Sequence, residues 1–181
     1  MTAWPMAVLL VVGSAAGAGQ LAAQSVPSAA SAPPGGQVVL VDSTGKVAAR
    51  PLSETIMLVT LAGGVVAPAQ IRPVYSPDGR AASGLATWHS GGSVLYTSDD
   101  CTSGAHVHSP SLAGVRASTQ VQTAAGIILF AGAIGPSITE GVRSILYDTG
   151  CASVALRQNG LVPVVTTVNL TTTYPPPLSF Q

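Results

Sequence analysis

The stretch LYTSDDCTSGAHVHSP, residues 95 to 110, places two aspartates, a cysteine and two histidines within a few residues of one another. Reactive side chains are scarce elsewhere, since the 181-residue chain holds three histidines, two cysteines and seven acidic residues in all. His106 and His108 are two apart, so on a strand both imidazoles leave the same face. Such an H-x-H pair can give two nitrogen ligands to zinc, with His89, Asp99 or Asp100 completing the three or four that zinc takes. That chemistry needs neutral rings held in place by acceptors behind them. The competing reading is a polar strand edge beside a turn, where the same residues do no chemistry. It is the preferred one, because H-x-H is a much weaker pattern than H-E-x-x-H on a helix. Any metal binding is then expected to be modest or adventitious zinc binding.

The adjacent pair Asp99 and Asp100 fails as an acid–base couple, because neighbours on a strand point to opposite faces. Accepting hydrogen bonds from turn amides is the simpler role. Serines are plentiful, but no G-x-S-x-G elbow accompanies them, nor do a P-loop, a G-x-G-x-x-G or a C-x-x-C occur. Trp88, Tyr96 and Tyr147 are candidates for an aromatic sugar platform, against the commoner use of strand aromatics as core. Asn169-Leu170-Thr171 matches a glycosylation sequon, to which no role is assigned.

Cys101 and Cys151 are the only cysteines. In an exported chain an even count reads as a disulfide, the alternative being two reduced thiols buried separately. Closing that loop would stabilise the fold by ~4 kcal/mol in the chain-entropy treatment. Export is expected from the amino terminus. Residues 1–23 carry a short apolar core followed by small residues, the layout of a signal peptide, although no Lys or Arg precedes the core. Residues 24–36, rich in Ser, Ala, Pro and Gly, read as a linker, which leaves 37–181 as one domain.

Charged residues are 8% of the chain and the net charge is zero, where soluble domains typically hold ~25%. That balance gives no footprint for nucleic acid or an anionic membrane. It also removes a barrier to self-association, so a homo-oligomer is one expectation.

The elements that must position these residues read as short strands. QVVLV ends at the turn DSTGK, and TIMLVTL runs through Gly63-Gly64 into VVAPAQIRPV as a hairpin. Pro68 and Pro73 assign that second strand to an edge or a bulge. SGGSVLYTS pairs with AHVHS across the Cys101 turn. GIILFAGAIG is too short to cross a bilayer as a helix, so no span is expected in the mature chain, and it reads as a central strand buried on both faces. Asn159-Gly160 signals a further hairpin. SITEGVRSILY is weak as a helix because of Gly141. With eight to ten strands expected, the fold class is all-β, a single antiparallel sandwich or barrel-like domain.

VVLVDSTGKVAARPL, SVLYTSDDCTSGAHV, VRSILYDTGCASVALRQNGLVPVVTTVNL and YPPPLSF occur in that order. In this the chain resembles an uncharacterised group of exported bacterial β-rich domains, with a VxDxxGKxVG-like opening hairpin and a LYYTSxDCxG-like strand and turn. AARPL departs from the group, where a glycine-containing segment is usual. The resemblance implies export, a β-rich domain and pairing of Cys101 with Cys151, and no activity.

The expected function is that of an exported, non-enzymatic structural, adhesive or surface-interaction domain, meeting a protein or surface polymer through loops on a rigid scaffold. Periplasm, cell surface and extracellular space all remain open. One alternative is a zinc-binding periplasmic protein or metal-dependent hydrolase built on His106 and His108. The other is an oligomeric tail or spike module.

Overall fold

Turn residues punctuate the domain so often that almost every segment between them is extended. A computed structural model describes residues 37–110 and 115–181. The expected signal peptide (1–23) and linker (24–36) lie outside the described residues. Residues 37–181 form one compact unit. The first strands are β1 (Leu40–Val41), β2 (Val47–Pro51), β3 (Ile56–Thr60), β4 (Val66–Tyr75) and β5 (Ala81–Trp88). Then come β6 (Val94–Tyr96), β7 (Ala105–His108), β8 (Ser118–Thr123), β9 (Gly126–Gly132), β10 (Ile138–Tyr147) and β11 (Gly150–Asn169). A single helical turn, α1 (Leu170–Thr173), leads to β12 (Leu178–Phe180). No helix among the described residues is long and apolar enough to cross a membrane.

Six strands close into an antiparallel barrel in the order β1-β12-β5-β4-β3-β2. The other six form a second antiparallel sheet, β10-β6-β7-β11-β9-β8, in which β10 also pairs with β11. The fold is therefore all-β and barrel-like. Alternation directs one face of each barrel strand inward, which buries Met57 and Val59 of β3, Ala67, Ala69 and Ile71 of β4, and Ala86 and Trp88 of β5. Small alanines leave room for a large ring. Trp88 fills it, and its indole N–H donates to the Tyr174 carbonyl at 3.0 Å.

β9 lies between β11 and β8 and is buried on both faces, as its apolar run predicts. Leu129 and Ala131 join the barrel's core, while Phe130 packs into a separate core with Val94, Tyr96, Val107, Val121 and Val162. SITEGVRSILY is strand rather than helix, since both its neighbours, β6 and β11, offer ladders.

Asn159-Gly160 makes no hairpin turn. Both residues lie inside β11, and the reversal between β10 and β11 falls at Asp148-Thr149 instead. Between the pairs Ile138↔Leu161 and Glu140↔Gln158, β11 spends one residue more than β10. Gly160 has φ +70, so the left-handed preference that suits a turn is used here for a β-bulge.

The prolines of β4 are accommodated by phase. Leu61 N–H bonds to Val65 O and Ile71 N–H to Thr55 O, so the odd residues of β4 face β3. Pro68 therefore turns its nitrogen away from β3, where it would have no ladder partner. Beyond Ile71 the strand pairs with β5 instead, and His89 N–H bonds to Gln70 O. There Pro73 directs its nitrogen toward the side that β3 no longer reaches. Each proline thus sits on a locally single-sided stretch of a strand in a closed barrel.

Candidate functional site

The polar run of the sequence folds into a stapled corner. β6 and β7 pair as Leu95↔His106 and Tyr96↔Ala105, leaving residues 97–104 as the loop between them. Cys101 and Cys151 are joined as a disulfide. Asp100 accepts from the Thr102 hydroxyl at 2.6 Å and from the Thr102 amide at 3.2 Å. The Ser98 hydroxyl accepts from the amides of Thr102 and Ser103. Hydrogen bonds from Thr102 first, and from Ser98, hold the Asp100 carboxyl below the ordinary carboxylate value. Asp99 points elsewhere and lies 3.6 Å from the Arg143 guanidinium on the exposed surface. From β10 the fully buried Ser144 completes the corner, accepting from the Cys101 amide at 2.9 Å and donating to the Ser98 carbonyl at 2.6 Å.

The histidines are placed apart in environment. His106 is buried on β7, its Nδ1 2.8 Å from the Gly104 carbonyl. His108, two residues on, is exposed at the strand's end. His89 follows β5 and lines a cleft with Ser90, Gly91 and Gly92. Among the described residues no three His, Cys, Asp or Glu side chains come together as a metal-binding group. The aromatic trio is likewise divided. Trp88 and Tyr96 are core, burial raising the Tyr96 phenol above its ordinary value, and Tyr147 alone is exposed. Asn169 of the sequon caps α1, accepting from the Thr172 amide, and its side-chain N–H donates to the Ala125 carbonyl at 2.7 Å.

The open surface lies on the barrel. Over residues 56–58 of β3 and 66–68 of β4 the wall is apolar on both sides: Met57 and Ala67 fill the interior, while Ile56, Leu58, Val66 and Pro68 face outward. Three depressions of about 480, 580 and 320 Å³ meet along this outer wall. The first two share Leu58 and Val66, and the last two share Leu52, Pro68 and Val115. Together they form a trough across β2, β3 and β4, flanked by the entry to β8. Leu52 is 54% exposed, Val66 44% and the flanking Ile134 81%. The charged residues lining it are Arg50 and Arg116, both cationic.

At one end the trough is closed by side chains that imitate a strand. The Gln120 carboxamide accepts from the Gln70 amide and donates to the Gln70 carbonyl at 3.1 Å, a two-way exchange like that of paired peptides. The Ser118 hydroxyl donates to the Pro68 carbonyl at 2.6 Å. These bonds satisfy the outward edge of β4 where no strand continues. Past Pro68, toward Val66, they stop and the trough widens.

The sequence reading did not single out the trough. Its signal was present, because TIMLVTL is apolar at successive positions where a half-buried strand would alternate. Comparison with known proteins finds no matching family model, no matching curated protein and no matching solved structure.

Proposed function

We propose that the chain is an exported, non-enzymatic interaction domain, structural or adhesive, that holds an apolar-rich segment of a protein or surface polymer in the barrel's trough. One observation carries this reading: large apolar side chains stand exposed in a continuous depression, on a barrel whose interior is already filled. Contiguous apolar surface is costly to leave in water and is characteristic of interaction sites. Rigid strands supply the floor, so little ordering cost falls on the protein when a partner docks. The cations Arg50 and Arg116 favour a partner with carboxylates flanking its apolar part. The disulfide agrees with an oxidising compartment.

The test is selection from a random-peptide library and binding to purified peptidoglycan and polysaccharide surfaces, with the full chain and its Leu52→Glu/Val66→Glu variant. The reading expects saturable binding at micromolar concentration that the variant loses by at least ~tenfold. Equal binding by the variant, or no binding to any of these, would overturn it. Mass in solution at the same concentrations shows whether a second copy of the chain is the occupant.

A further inference from the structure

A separate cup opens at the barrel end formed by the β2–β3 connection and the termini of β5 and β12. Its origin is a large register slip. Between the pairs Pro73↔Ala86 and Tyr75↔Ala81, two steps along β4 are matched by five along β5. The three surplus residues form a wide bulge in β5 before Leu85 rejoins the ladder opposite Ser179 of β12, and Gly84 takes φ +72 within the bulge. The result is a depression of about 320 Å³.

Its floor is Ile71 and Ala86, members of the barrel core, and its walls are Pro73, Ala82, Leu85 and Phe180. Leu85 and Phe180 are 37% and 40% exposed and both line the cup, so an occupant would cover apolar surface on each. Glu54 and Arg72 bring the lining's two formal charges. An apolar interior with a few polar groups at the mouth of a barrel is the usual form of a small-molecule site, and this volume is at the low end of the ~300–1,000 Å³ such sites span.

We propose that the cup binds a small amphiphile, a hydrocarbon body with one polar head, the body resting on Ile71 and Ala86 and the head facing Glu54 and Arg72. Shape favours the body: all six floor and wall side chains are uncharged and hydrocarbon. The charges favour a head group at the lip, where water also reaches. This site is distinct from the trough and does not depend on it, because none of the six lines the trough.

The experiment is a ¹H–¹⁵N NMR titration of the full chain with n-octanol, octanoate and octylamine. Saturable shifts are expected at the amides of Ile71, of residues 82–86 and of Phe180. Ala82→Phe, which fills the cup from a partly exposed position, is expected to weaken binding by ~tenfold or more. Leu85→Gln, a milder change on the exposed wall, weakens it several-fold and covers the case in which the first variant does not fold. Head-group preference then assigns the lip: octanoate bound most tightly points to Arg72, octylamine to Glu54. Absence of saturable shifts at these amides overturns the proposal. So does binding that both variants retain, and so do shifts at the cup that follow protein concentration without added amphiphile, since a second copy would then be its occupant.

Discussion

The stapled corner and the barrel's outer wall are opposites in composition and in use. The corner holds the chain's most reactive side chains, and nearly all of them are occupied by one another: cysteine with cysteine, Asp100 with Thr102, Ser144 with Cys101 and Ser98. The wall holds almost nothing reactive, yet it presents Leu52, Val66 and Ile134 to solvent with nothing covering them among the described residues. Polar residues in a charge-poor chain thus hold a loop still, and the large side chains left uncovered on the wall are apolar. Reactivity of residue type is a poor guide to function when the hydrogen bonds are already made.

Breaking either region from within should have the largest effects. Trp88→Ala empties the barrel of its largest fully buried side chain and strands the Tyr174 carbonyl, so unfolding free energy should fall by about 3–5 kcal/mol in urea melts. Cys101→Ser with Cys151→Ser releases a loop whose ends are 50 residues apart, and a fall of about 4 kcal/mol is expected. A loss under ~0.5 kcal/mol for either would mean that the region is not integral to the cooperative unit.

Ser144→Ala sharpens the comparison by removing only the polar staple. It leaves the Cys101 amide and the Ser98 carbonyl without this partner, at about 1–3 kcal/mol. Val66→Ser, a change on the trough surface, supplies the contrast. Val66 is 44% exposed, so thermal and urea stability should stay within ~0.5 kcal/mol of wild type.

Acid should act on the turns. The carboxyls of Asp42 and Asp100 are lowered below the ordinary 3.8, in each case first by a threonine hydroxyl, from Thr44 and Thr102 respectively. A carboxyl depressed on folding contributes stability that is fully present above its unfolded value and lost as pH falls through its folded one. The midpoint in urea should therefore be flat on this account above about pH 5 and decline below pH 4. Asp100→Asn should reduce the decline, and an unchanged acid limb would show that the Thr102 bonds carry no linkage.

Much of the fold was legible because its signals are local. Asp42 and Gly45 mark a turn that the structure makes, with Asp42 N–H bonding to Lys46 O and Gly45 N–H to Asp42 O. The hairpin of β3 and β4, the β6–β7 pair across Cys101 and the buried β9 follow from residue type and spacing, and the disulfide agrees with the even cysteine count and with what the resemblance implies. What failed was partner choice. Asn159-Gly160 permits positive φ, but whether that becomes a turn or a bulge depends on whether β10 is already alongside. The polar corner was recognised as a turn from Asp99 and Asp100, although nothing local announces Ser144, whose partners lie more than 40 residues away. The trough was missed for the same reason: outward apolar residues on β3 and β4 acquire meaning only once the barrel interior is seen to be full.

The most direct test titrates one library-selected peptide, by fluorescence anisotropy, against wild type, Leu52→Glu/Val66→Glu and His106→Ala/His108→Ala, with and without zinc. Apolar recognition on the barrel predicts that the first variant loses at least ~tenfold in affinity while the histidine variant binds like wild type, whether or not zinc is present. The reverse pattern, with trough substitutions silent and histidine substitutions or zinc decisive, would contradict it.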